Sequence, residues 1–201
     1  MSLPTRLRTF VAIELSPALR RRVAAVRDAV VEGLPGVRPV ADANLHLTLK
    51  FLGEIDRDDL AEATAIVEAA AAAVPAPGAP LPVGGLGVFP PGGRPRVVWV
   101  GVEDEAGTLG ALHRELDRGL RRVGVKRDGP GRFTPHVTIA RVRDRAGAFG
   151  LRRRLEEVSA APRGGDLGEL DAGELTFFLS EAHRDGATYS PLARIPVGPP
   201  A

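Results

Sequence analysis

Leu45-His46-Leu47-Thr48-Leu49-Lys50-Phe51-Leu52 alternates apolar and polar side chains, and the pattern returns at His136-Val137-Thr138-Ile139-Ala140-Arg141-Val142. From position 46 to position 136 is 90 positions. Strict alternation is the signature of a strand with one face on a core, because successive side chains point to opposite faces. Leu45, Leu47 and Leu49 therefore share one face, and His46, Thr48 and Lys50 share the other. In the second stretch Val137 and Ile139 take the apolar parity, and His136 and Thr138 the polar one. The apolar face must meet covering helices, so each strand is expected to present an imidazole and a hydroxyl, ~7 Å apart, on its open side.

Working outward, 6–15 reads as a strand (Leu7, Thr9, Val11, Ile13 and Leu15 against Arg8, Phe10, Ala12 and Glu14). Pro17 opens a helix with Leu19, Val23, Val26 and Val30 as its apolar stripe, with Arg27 off it, and Gly33 and Pro35 end it. Asp56 is placed as the cap of a helix running to about Val74, and a strand follows near 82–89. The second half repeats the order. A strand at 96–103 leads to a helix from about Asp104 with Leu109, Leu112, Leu116 and Leu120 inward, then to the second H-x-T strand. A helix from Asp144 to about Val158, a loop over 160–170, and strands near 172–180 and 187–197 complete the chain. The halves, about 6–90 and 95–197, are similar in pattern, which suggests two related helix-backed lobes in a single domain over 1–201, facing each other across a cleft.

The chain has 201 residues, 44% hydrophobic and 26% charged, an ordinary globular composition that argues against disorder. It has no cysteine, which excludes disulfides, thiolate metal sites and a cysteine nucleophile. Two of its 27 basic residues are lysines, Lys50 and Lys126, leaving 25 arginines against 25 acids and a net charge of +2. The pI near 9.6 reflects this small surplus with few groups to buffer it, so basicity alone is weak evidence for nucleic acid. Met1-Ser2-Leu3-Pro4-Thr5-Arg6 lacks a signal-peptide core, and no apolar run approaches the ~20 residues that span a bilayer, so a cytoplasmic protein is expected.

Two imidazoles can serve as base and acid near neutral pH, and two hydroxyls can hold the oxygens of a phosphate between them. In-line displacement at phosphorus needs a base on one side and an acid on the other, which a pseudo-two-fold cleft supplies. No carboxylate cluster accompanies the motifs to hold Mg²⁺, so a metal-free mechanism without a cofactor is expected.

Asn44-Leu45-His46-Leu47-Thr48-Leu49-Lys50-Phe51-Leu52-Gly53-Glu54 and Phe133-Thr134-Pro135-His136-Val137-Thr138-Ile139-Ala140-Arg141 resemble the paired signatures of the 2H phosphoesterases. The branch they resemble is the RNA 2′,3′-cyclic phosphodiesterases, historically called 2′-5′ RNA ligases. Arg8-Thr9-Phe10-Val11-Ala12-Ile13, and Phe89-Pro90 followed by Pro95-Arg96-Val97-Val98-Trp99, add to the likeness, which runs from about 6 to 195. The resemblance implies an α+β fold with a bilobal pseudo-two-fold duplication, two helix-backed, mainly antiparallel sheets flanking a central cleft. It implies hydrolysis of RNA 2′,3′-cyclic phosphate ends to 2′-phosphates, on RNA such as tRNA fragments or on a cyclic-phosphate nucleotide. By position, His46 is the general acid on the leaving 3′-oxygen and His136 the general base, though the symmetry also admits the reverse. Thr48 and Thr138 bind the phosphate, Arg141 stands near it, and Phe51 stacks on a base. Arg141 and Phe51 have the wrong parity for the cleft in a regular strand, so each requires a twist or a bulge.

One such histidine alone is more often a structural residue than a catalyst, and it is the doubled H-x-T in these contexts that favours catalysis. His113, beside Leu112 on a leucine-striped helix, is expected on the surface, and His183 in an exposed hairpin loop. The four histidines have no tight ligand spacing for zinc. Arginines at 20–22, 121–122 and 152–154 read as solvated helix faces, whereas Arg127 and Arg132 stand where RNA phosphates could pass. Gly84-Gly85-Leu86-Gly87 fits neither phosphate-binding glycine fingerprint, and Phe10, Trp99 and Phe177 are expected in the core. Two other readings within the class are 2′-5′ RNA ligation and turnover of a small cyclic nucleotide. A reading from another class is a non-catalytic binder of RNA ends. The chain is expected to act as a monomer.

Overall fold

Nine strands form one antiparallel sheet in the computed structural model, which describes residues 5–126, 133–144, 150–160, 165–183 and 186–199. The strands are β1 (Arg6–Glu14), β2 (Val37–Pro39), β3 (His46–Asp56), β4 (Leu81–Phe89), β5 (Val97–Val102), β6 (His136–Val142), β7 (Asp166–Leu170), β8 (Glu174–His183) and β9 (Gly186–Pro196). The helices are α1 (Pro17–Val31), α2 (Leu60–Ala72), α3 (Thr108–Gly119) and α4 (Leu151–Ala160). The order across the sheet is β7-β4-β5-β6-β3-β1-β8-β9, with β2 added to β6.

The sheet bends into two lobes at β3 and β6, which share a single ladder pair, Leu47 with Val137. One lobe is β3-β1-β8-β9 backed by α2 and α3, and the other is β6-β5-β4-β7 with β2, backed by α1 and α4. Each lobe thus draws on both halves of the sequence. β4 pairs with β5, whereas β8 pairs with β1, and α1 crosses from β1 to cover the opposite lobe. The fold is α+β, one bent antiparallel sheet whose two lobes are covered by helices on their outer faces.

Local chemistry accounts for the elements. Ser16 Oγ accepts the Leu19 N–H ahead of Pro17, and Gly33, at φ 71°, turns the chain out of α1. Asp104 lies four residues before α3, but its carboxylate accepts the N–H groups of Leu109 and Gly110 and so caps the helix at a distance. Asp56 makes no capping hydrogen bond; it precedes a short 3₁₀ turn, Arg57–Asp59, and α2 begins only at Leu60. Leu109, Leu112, Leu116 and Leu120 are fully buried, each worth about 1.5–3 kcal/mol of transfer free energy.

Three expectations are corrected. The loop over 160–170 contains β7, an edge strand on β4. Arg27 lies in the buried stripe of α1, where it donates to the Val40 carbonyl and pairs with Asp28 and Asp42, binding the helix to the approach of β3. Trp99 is half-buried, whereas Phe10 and Phe177 are buried. Asp144 heads a stretch, 145–149, that lies outside the described residues, as do Arg127 and Arg132.

Candidate active site

His46 and Thr48 on β3, and His136 and Thr138 on β6, line one cavity of about 1120 Å³ between the lobes. The Leu47–Val137 pair explains their arrangement. In an antiparallel pair centred on those two residues, Thr138 falls opposite His46 and Thr48 opposite His136. The histidines then occupy one diagonal and the threonines the other, with diagonal neighbours about 7–8 Å apart.

The same irregularity occurs in both strands just beyond the threonine. Thr48 pairs with Ala12 and Lys50 with Val11, so Leu49 is skipped by β1. Thr138 pairs with Trp99 and Ala140 with Val98, so Ile139 is skipped by β5. Each bulge inverts the parity that follows, and the burial sequence from histidine onward is the same in both strands. Phe51 and Arg141 are thereby turned into the cavity lining, as the bulge requirement anticipated. Leu49 O accepts from His113 Nδ1 at 2.8 Å, and Ile139 O accepts the Val40 N–H at 2.8 Å, continuing the β2–β6 register.

Lys50 was expected on the open side, but the bulge sends it inward. Its side chain is 0% exposed, and Nζ donates to Asp117 Oδ1 on α3 at 2.7 Å and to the Lys126 carbonyl at 3.1 Å. Phe51, by contrast, is 55% exposed, the one large hydrophobic side chain so placed among the described residues.

His113 was expected on the surface and instead lines the cavity, stacked on Phe133 at 4.4 Å with a 10° interplanar angle. Helical spacing already carried the signal: 109, 113, 116 and 120 fall on one face of α3. His183 is exposed at the end of the β8–β9 hairpin, with Nε2 2.9 Å from Thr188 Oγ1.

Aromatic rings fix both histidines. His46 stacks on Phe10 at 4.9 Å and meets Tyr189 edge-on at 5.4 Å. His136 meets Phe89 edge-on at 5.0 Å, with Trp99 behind at 6.2 Å. Gly87 is required under that wall, because a Cβ there would come within 2.1 Å of the Trp99 indole. His136 Nδ1 donates to the Thr134 carbonyl at 2.7 Å, leaving Nε2 as the acceptor on the cavity side. His46 likewise hydrogen-bonds the backbone of Asn44, and its Nε2 lies 2.9 Å from Thr48 Oγ1.

Burial pushes the His46 imidazole down to about 4, with the nearby His136, Arg141 and Arg20 acting in the same direction. Burial also lowers His136, against the Thr134 hydrogen bond that raises it. Both rings are therefore neutral in the free protein at neutral pH. A reaction that needs one ring protonated and the other neutral is best populated between their two macroscopic titrations, both below 6.5. Accordingly kcat/KM for any acid–base reaction here is expected to peak below pH 6.5 and fall toward pH 8. A profile still rising at pH 8 would contradict this.

The sequence profile of the 2′-5′ RNA ligase superfamily matches residues 15–177. The chain belongs to that superfamily. An RNA 2′,3′-cyclic phosphodiesterase of Archaeoglobus fulgidus is 35% identical to this superfamily member over 137 residues, 68% of this chain and 73% of the relative. That of Escherichia coli K12 is 32% identical over 194 residues, 96% and 97% of the two chains. The crystal structure of E. coli LigT complexed with 3′-AMP superposes with a TM-score of 0.71 at 27% identity, covering 96% of this chain and 98% of that one. Among the described residues, no three His, Cys, Asp or Glu side chains stand close enough to hold a metal ion, and no helix is long and apolar enough to cross a membrane.

Proposed function

We propose that this chain hydrolyses RNA 2′,3′-cyclic phosphate ends to 2′-phosphates without a metal ion. The observation that carries the reading is the diagonal His46/His136 and Thr48/Thr138 arrangement about one ladder pair in a cavity of nucleotide size. Among the described residues the cavity lining has imidazoles, hydroxyls and arginines and no carboxylate, which supports a metal-free reaction.

The phosphate lies between the two threonine hydroxyls, with Arg141 balancing its charge. His136 Nε2 takes a proton from water as the water oxygen attacks phosphorus. The bond from phosphorus to O3′ breaks, and protonated His46 delivers its proton to O3′, leaving a 2′-phosphomonoester. The substrate's negative charge offsets the desolvation that keeps the acid histidine neutral in the free protein. A second reading exchanges the two roles, and the deeper burial of His46, which favours its neutral form, supports it.

Phe51 supplies the base platform. Stacking on an exposed ring contributes ~1–3 kcal/mol per base, so Phe51→Ala is expected to raise KM at least fivefold while kcat changes little. An unchanged KM would remove Phe51 from the site.

Ends of RNA such as tRNA fragments, a monomer, and action in the cytoplasm complete the proposal. Its test is an RNA oligonucleotide carrying a 2′,3′-cyclic phosphate, incubated with the protein in excess EDTA. Conversion to a phosphomonoester is expected. Binding without turnover over hours would make the chain an RNA-end binder, and joining of RNA ends through a 2′,5′ linkage would make it a ligase.

A further inference from the structure

Charge in the cavity is distributed one-sidedly. Among the described residues five arginines line it, Arg8, Arg38, Arg96, Arg141 and Arg143, and no aspartate or glutamate does. Outside the cavity six arginines, Arg6, Arg27, Arg118, Arg153, Arg154 and Arg194, each pair with a carboxylate. Among the described residues no such ion pair reaches the five in the cavity.

Three of them form a strip leading away from the histidines. Arg38 on β2 is the direct cross-strand partner of Arg141 on β6, and Arg143 lies two residues further along on the same face. Two guanidinium groups directly opposite each other repel, which costs sheet stability unless an anion lies between them. Arg141 is close enough to the site for its charge to act on His46, so the strip begins at the reacting phosphate and runs outward along the β2–β6 edge. All three side chains are exposed.

We propose that this strip is a subsite for the phosphodiester groups on the 5′ side of the cyclic end, and that the substrate is consequently an RNA strand rather than a mononucleotide. The inference rests on the proposed hydrolysis. A cyclic terminus leaves the strand only its 5′ direction in which to continue, and the strip offers the succeeding phosphates a path of fixed positive charge. Neutralising phosphates of a single strand contributes about 0.7 per charge to the slope of log affinity against log salt. Arg38 and Arg143 together then account for a slope of about 1.4, or about sevenfold between 50 and 200 mM salt.

The test compares kcat/KM for a nucleoside 2′,3′-cyclic phosphate and for an oligonucleotide ending in the same group, at 50 and 200 mM NaCl. The oligonucleotide is expected to be preferred at low salt and to lose about sevenfold more of its kcat/KM as salt rises. The Arg38→Gln/Arg143→Gln double variant is expected to abolish that extra salt dependence and to leave mononucleotide turnover within twofold. Equal salt dependence of the two substrates, or equal loss on both in the variant, would overturn the subsite. If neither substrate is turned over, the hydrolytic reading itself fails. Anisotropy of a labelled 3′-phosphorylated oligonucleotide then decides the strip: a rise in Kd between 50 and 200 mM salt that is about sevenfold smaller in the variant supports it, and an unchanged salt dependence overturns it.

Discussion

His136→Ala is expected to lower kcat on a cyclic-phosphate end by 10²- to 10⁴-fold, the usual contribution of a positioned acid or base. The ring lies at the cavity wall, held by the Thr134 carbonyl at 2.7 Å and by Phe89 edge-on, so Nε2 is aimed into the site. His46→Ala is expected to fall equally far. The two losses differ in how they are rescued. A substrate with sulfur in place of the bridging 3′-oxygen has a leaving group that needs no proton, so it restores most of the rate to the variant lacking the acid and none to the variant lacking the base. Rescue of His46→Ala assigns the acid to His46, and rescue of His136→Ala assigns it to His136. Full activity of either variant on the natural bond would remove that histidine from the chemistry.

The second large effect concerns stability. Asp117→Ala is expected to cost about 3–5 kcal/mol, because it takes the carboxylate at 2.7 Å away from the fully buried Lys50 ammonium. A domain of this kind is stable by only ~5–15 kcal/mol, so the urea midpoint should fall visibly. The double variant Lys50→Met/Asp117→Leu removes both charges and is expected to recover most of the loss. A change of less than 0.5 kcal/mol on Asp117→Ala would show that the pair does not hold β3 on α3. The pair matters to the site as well: drawing Lys50 inward is the counterpart of turning Phe51 outward.

Legibility in the sequence divides along the range of the interactions. The H-x-T strands, the stripe of α1 and the leucines of α3 follow from periodicity, because burial of one face is a local pattern. The need for a bulge before Phe51 and Arg141 was also visible, since their parity conflicts with that of the histidines. Where Lys50 goes was not visible, because its partner lies 67 residues away on α3. Nor did alternation reveal that β4 and β8 pair with strands from the other sequence half, since pairing is a property of two strands. β7 is five residues long and contains Gly168, too short and too interrupted to register. His113 was legible by spacing and was masked by its polarity. The basic pI, of little weight as a total, gains meaning once five of the arginines are seen gathered in one cavity.

The central claim is that the two histidines open a 2′,3′-cyclic phosphate by breaking the bond to O3′. ³¹P NMR of a cyclic-phosphate RNA end, followed during turnover in excess EDTA, tests it most directly. Loss of the cyclic-phosphate resonance with growth of a 2′-phosphomonoester alone is the expected result. A 3′-phosphomonoester, or a resonance unchanged over hours, would contradict it.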